Sequence, residues 1–183
     1  MRDLSVDDVL DVLEGLYELK LARTQLLARL KHMHRLDFPV GHVTGRGYRS
    51  TYDAGKLIQI GLAFALIDVG LAPSHAVAII STNWPLIGAG IAIVLPGAEC
   101  QLAVGARALS EMGGRPGAKK GSAPAAVLVH ENSPSPSDLE RMASVVIELA
   151  SFMRQLERYL LRQPGLDAYD WRSAVAQGLP PTD

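Results

Sequence analysis

The sequence predicts a mainly α-helical protein with a small β element, and three observations lead there. Apolar residues recur at helical spacing in one segment after another, short strand-like apolar runs stand in the middle of the chain, and an aliphatic stripe near the C-terminus keeps a regular three-and-four spacing. The 183 residues are 48% hydrophobic and 20% charged, enough for one ordinary domain or two small ones and too apolar for a disordered chain. A single cysteine, Cys100, excludes an intramolecular disulfide and a zinc site built on cysteine alone. The opening MRDLSVDDVLDVLEG is acidic and has neither the basic start nor the apolar block of a signal peptide, so a cytoplasmic location is expected.

Ser5 is placed to cap a first helix over about 6–19, with Asp7 and Asp8 in the first turn, where the helix dipole favours them. Val6, Val9, Leu10, Leu13, Leu16 and Tyr17 set its apolar face. Thr24 is the expected cap of a second helix reaching Leu36 and ended by Phe38-Pro39. Leu26, Leu27, Leu30 and Met33 face inward there, while Gln25, Ala28, Arg29, His32 and Arg35 form one polar, cationic face. Residues 39–52 hold three glycines among β-branched and aromatic residues and read as a hairpin with its tip near Gly45-Arg46-Gly47. Thr51 then caps a third helix over about 52–69, closed by Gly70 as a left-handed residue. Pro73 starts a fourth, which stops before Trp84-Pro85.

Beyond it the character changes. Ile91–Leu95 and Cys100–Val104 read as two strands around Pro96-Gly97, and Ala126–His130 as a third. Residues 113–122 read as a loop that lacks the GxxxxGK[ST] spacing of a phosphate-binding loop. After the 132–136 linker, Ser137-Asp138-Leu139-Glu140 fits a capping box. Leu139, Met142, Val146, Leu149, Met153, Leu156 and Leu160 then form a heptad seam on a helix over about 138–162, roughly 37 Å long. The seam predicts dimerisation through Met142, Val146, Leu149, Met153, Leu156 and Leu160, with Val145, Phe152 and Tyr159 turned to the strands. The remaining tail is expected to be weakly ordered, anchored at Tyr169 or Trp171. The division expected is 1–84 and 85–183.

Charge is segregated although the chain is nearly neutral, with a formal net charge of −1. Residues 1–19 carry six acids and one base, residues 20–56 eight bases and two acids. Such a block is the footprint of a polyanion-binding face. From Val69 to Ala98 there is no charge at all, but Pro73, His75, Asn83 and Pro85 interrupt the stretch, and its longest clean run is far short of the roughly 20 residues that cross a bilayer. No membrane partner is therefore expected.

Two helices, a glycine-rich hairpin and two more helices describe a winged helix-turn-helix, in which a helix enters the major groove and a wing lies on the backbone. On that reading Arg23, Gln25, Arg29, Lys31, His32 and Arg35 of the second helix and Arg46, Tyr48 and Arg49 of the hairpin are the DNA-binding residues. Gly47-Tyr48-Arg49-Ser50-Thr51-Tyr52, Leu57-Ile58-Gln59-Ile60, Leu66–Leu71 and Ala76–Ile80 resemble the wing and following helix pair of MerR-like transcriptional regulators over about residues 5–82. The resemblance implies a homodimer on duplex DNA, with Tyr48 and Arg49 at wing positions that touch the backbone and a long C-terminal helix pairing across the dimer.

Rival chemistries find little support. His32 and His34 lie two apart on a helix and cannot ligate one ion together, Cys100 reads as buried, and no nucleophile elbow or paired-carboxylate motif stands out. The expectation is a non-enzymatic, sequence-specific transcriptional regulator without cofactor or metal. An adaptor docking a partner through the C-terminal helix is the alternative.

Overall fold

In the computed structural model, which describes residues 3–17, 22–41, 50–105, 126–130 and 143–180, Ser5 caps α1 (Val6–Tyr17) as expected. The cap is reciprocal: Ser5 Oγ accepts from Asp8 N–H at 3.2 Å, and the Ser5 N–H donates to Asp8 Oδ2 at 2.8 Å. Helix α2 (Arg23–His34) starts two residues earlier than read, with Ala22 at its N-cap and no side-chain cap, so Thr24 lies inside the helix. It ends in a Schellman motif: Phe38 N–H reaches Met33 O at 3.2 Å and Asp37 N–H reaches His34 O at 3.1 Å, with Asp37 at φ +55°. Phe38 precedes a cis proline and is fully buried.

Helix α3 (Ala54–Asp68) is capped by Asp53, whose Oδ1 accepts from Lys56 N–H at 2.8 Å, and not by Thr51. Aspartate is as good a cap as threonine, and the sequence offers both, two residues apart. Gly70 closes the helix at φ +101°, as the sequence indicated. Helix α4 (Pro73–Thr82) follows, then, after Asn83 alone, α5 (Trp84–Val94). Ile91–Leu95 is thus the end of α5 and its cap, not a strand. Pro85 sits in a first turn, where it starts a helix, and Trp84, Ile87, Ile91 and Val94 are buried at helical spacing.

Strands β1 (Cys100–Gly105), β2 (Ala126–His130) and β3 (Ala143–Glu148) form an antiparallel sheet in the order β2-β1-β3, with Leu102 opposite Leu128 and Ile147. β3 overturns the long C-terminal helix. Val145, Val146 and Ile147 are β-branched and pair with β1, so the helix begins only at Leu149, as α6 (Leu149–Leu160), roughly 18 Å long. The expected capping box at 137–140 lies outside the described residues. The tail forms α7 (Ala168–Gly178), capped by Asp167, with Trp171 buried at 1% exposure and Tyr169 at 84%.

The expected dimer seam is spent within the chain. Leu149, Met153, Leu156 and Leu160 are buried in its own core, Val146 projects from β3 at 45% exposure, and Met142 lies outside the described residues. Helix α6 lies against α1, α5 and β1, and α7 against α3. Buried residues from Leu4 to Val175 make one cluster, which continues across residue 84. Glycines permit the closest approaches: a Cβ on Gly15 would collide with the Tyr159 ring, one on Gly61 would sit 2.9 Å from Phe152, and one on Gly55 2.7 Å from the Gly178 carbonyl.

Because a backbone atom blocks Gly55, the obstacle cannot rotate away as a side chain can. Gly55→Ala is expected to lower unfolding free energy by about 1–3 kcal/mol despite alanine's better helix propensity. Denaturant unfolding checks the loss, and Trp171 emission should red-shift as α7 lifts.

Candidate nucleic-acid interface

Helix α2 rests on Leu26, Leu30 and Met33, all fully buried, against α1 and α4. Its opposite side carries Gln25, Ala28, Lys31, His32 and Arg35, which are exposed, and Arg29, which is half-exposed. Among the described residues no ion pair engages Arg29, Lys31 or Arg35. Their charge is presented to solvent un-neutralised, on a surface with small Ala28 at its centre.

Arg23 departs from the sequence reading. Its guanidinium turns to α1, meeting Asp7 Oδ1 at 3.0 Å, Glu14 Oε1 at 3.3 Å and the Asp11 carboxylate. Asp7, Asp11 and Glu14 recur at i, i+4 and i+7 on one face of α1, so three acids converge on one base. Hydrogen bonds to Asp11 and then Asp7 push the Arg23 pKa further up. Arg23 is a tie between the first two helices and does not belong to the cationic face. The acidic leader is thereby engaged at the start of α2 and leaves its later turns free.

Arg46, Tyr48 and Arg49 lie outside the described residues, as does the expected hairpin tip, but described residues on both sides of 42–49 are anchored. On the entry side, Pro39 is buried and the Val40 N–H donates to Gln59 Oε1 at 2.8 Å. Gln59, at 3% exposure, is the one polar side chain in the buried set of the described residues. On the exit side, Tyr52 exchanges two backbone hydrogen bonds with Leu4, at 2.8 and 3.0 Å. Its phenol meets His34 Nε2 at 3.0 Å, with the rings stacked at 6.0 Å. His34 therefore faces inward while His32 faces out. The sequence reading missed these three anchors. Gln59, a lone amide in an otherwise apolar helix, was the signal available, since a buried amide needs a partner.

Burial raises the Tyr52 phenol to about 12, against an ordinary value of 10. The neutral phenol thus contributes its full stability below pH 10 and loses it as pH rises toward about 12. Among the described residues no group of three or more His, Cys, Asp or Glu side chains could hold a metal ion. No helix among them is long and apolar enough to cross a bilayer, although α4 and α5 would reach that length as a pair bent by 72°.

Two outcomes follow for stability. Arg23→Gln is expected to cost about 0.5–1 kcal/mol at low salt and less at high salt, read from thermal unfolding at two ionic strengths. Tyr52→Phe is expected to cost about 1 kcal/mol at neutral pH through the lost bond to His34. The gap between it and the unaltered protein should narrow from pH 10 to 12 in denaturant titrations, because the variant has no phenol there to ionise.

Compared with protein-family models, curated proteins and solved structures, the chain matches none.

Proposed function

We propose that this protein is a sequence-specific DNA-binding regulator, working as a homodimer, with α2 in the major groove and segment 42–49 as a wing on the backbone. The observation that carries the reading is the outward face of α2, where Gln25, Arg29, Lys31, His32 and Arg35 stand together without acidic partners among the described residues. Arginine and glutamine have the donor geometry to read base edges, and Lys31 and Arg35 flank them where phosphates run. The anchored ends of 42–49 favour a wing, since a contact loop binds better when its base is already fixed. α1 and α2, followed by this segment and then α3 and α4, supply the order of elements that a winged helix-turn-helix requires.

Arg23 is left out of the contact set, and the dimer surface is assigned outside the α6 stripe, whose aliphatic residues are internal. The same burial removes the ground for the adaptor reading, which needed that stripe to be open to a partner.

Binding to random duplex DNA should be weak and should fall steeply with salt. Arg29→Ala is expected to lower preference for a cognate site by about 1–3 kcal/mol, while Arg49→Ala weakens cognate and random DNA alike. Arg23→Gln should leave both affinities unchanged at a temperature where it is folded. Fluorescence anisotropy across a salt series distinguishes the three. Salt-independent or undetectable binding to random duplex would refute the regulator reading.

A further inference from the structure

Helix α5 carries no charged residue, and the indole N–H of Trp84 is the sole polar side-chain group along it. One side packs on α4, α6, β1 and β2, where Ile87, Ile91 and Val94 are buried. A flank is closed by the chain after α7: a Cβ on Gly88 would meet the Pro180 ring at 2.6 Å. A helix that is apolar all round belongs in an interior, yet α5 keeps one side outside. At about 100° per residue, Pro85, Leu86, Ala89, Ala92 and Ile93 fall within an arc of roughly 120°. All five are exposed or half-buried, Leu86 at 38%, and no polar side chain interrupts them.

The sizes along this strip say what fits it. Leu86 and Ile93 are large and stand at its two ends, while Ala89, midway between them and at the centre of the arc, is small. An interface about a two-fold axis must be complementary to itself, and this pattern is. When two α5 helices cross antiparallel at Ala89, Leu86 of each copy comes beside Ile93 of the other. Small side chains at the crossing let the axes approach closely. Charge disfavours a bilayer surface as the occupant. From 57 to 106 the only charged residues are Asp68 and Glu99, both repelled by anionic lipid, with no lysine or arginine to hold the strip there. An unlike protein would find no charge or hydrogen-bonding group on the strip to select it, and homodimer interfaces are the more apolar kind.

We infer that the outward strip of α5 is the surface on which a second copy of this chain docks, the two helices crossing antiparallel about Ala89. The inference deepens the regulator reading, which calls for two copies, by naming where they meet. Association is measured without DNA, so either can fail alone. An 11-residue helix is roughly 16 Å long, and its strip is smaller than the roughly 800 Å² per partner of a standard interface. Dissociation in the micromolar range is therefore expected.

Sedimentation equilibrium of the full chain is the measurement. The unaltered protein should pass from monomer to dimer as its concentration rises through the micromolar range. Ala89→Glu places two carboxylates at the crossing and should weaken association at least about tenfold. Its far-UV circular dichroism in dilute solution should be unchanged, since glutamate suits a helix and position 89 is open to water in the monomer. A cysteine pair tests the geometry without added charge. Under mild oxidation Ala89→Cys should be trapped as a disulfide-linked dimer, whereas Ala28→Cys, on the outward side of α2, should not; Cys100 is buried and does not compete. Should Ala89→Glu fail to fold, the cysteine pair decides. A chain that stays monomeric at every concentration, a dimer that Ala89→Glu leaves intact, or equal linking of the two cysteine variants would overturn the assignment. Anionic phosphatidylserine vesicles that sediment the unaltered chain but not Ala89→Glu would overturn it too, giving the strip to a membrane.

Discussion

Helix α3 is buried on nearly every side, and the rest of the structure is arranged to make that possible. A helix with one apolar stripe can rest on a partner and face water with its back; α3 has no such back, since Leu57, Ile58, Ile60, Leu62, Ala63, Phe64 and Leu66 point in all directions and are all sequestered. It must be enclosed. α1, α4 and α7 contact it directly, and Phe152 of α6 reaches it over Gly61. Some of these come from the first half of the chain and some from the last forty residues, which is why the apolar cluster runs through both. The glycines at 55 and 61 decide how closely the late helices approach. Because interiors are packed as densely as crystals, a methyl group at either place displaces something.

Enclosing α3 also fixes the surface that faces outward. Gln59 is the single interruption in its apolar covering, and it holds the Val40 backbone where the chain leaves the α2 turn. Tyr17 of α1 donates to the Gly61 carbonyl of α3, and Tyr52 binds both the Leu4 backbone and His34 of α2. Burial pushes the Tyr17 phenol up, so the bond from its hydroxyl persists far into alkaline solution. A polar framework of this kind adds little net stability per bond, but it fixes orientation, because each buried group has one satisfactory partner. Charge is distributed to the same effect. One arginine absorbs three acids of α1, so the cations in later turns of α2 keep their field.

What could be read beforehand follows from which signals are local. Caps and left-handed closures are local, so Ser5 and Gly70 marked helix ends well, and the polar face of α2 declared itself by period alone. Where the chain carries no polar residues, period is invisible: Ile91–Leu95 is as apolar as a strand and is in fact the end of a helix that begins at Trp84. The heptad stripe misled for a related reason. Its three-and-four spacing is real from Leu149 to Leu160, but Val146 joined it by coincidence from a strand, and the β-branched run Val145-Val146-Ile147 was the contrary local evidence. Helix α7 went unread although Asp167 and Asp170 stand at capping spacing. On the outward face of α2, the exposure of Gln25, Arg29, Lys31, His32 and Arg35 was legible, while the fate of Arg23 was not. Its sequence neighbours say nothing of the acids at 7, 11 and 14, which meet it only when two helices pack.

Helix α7 occupies an unusual position in this scheme, because its two ends serve different neighbours. Near its start Arg172 pairs with Glu157 of α6 and Trp171 is buried in the core, and Gly178 at its end lies against Gly55 at the start of α3. A helix of 11 residues is stiff, so its two ends are seated together: what holds Trp171 in the core also holds Gly178 on Gly55, and the last helix closes the end of α3 that the first half of the chain leaves open.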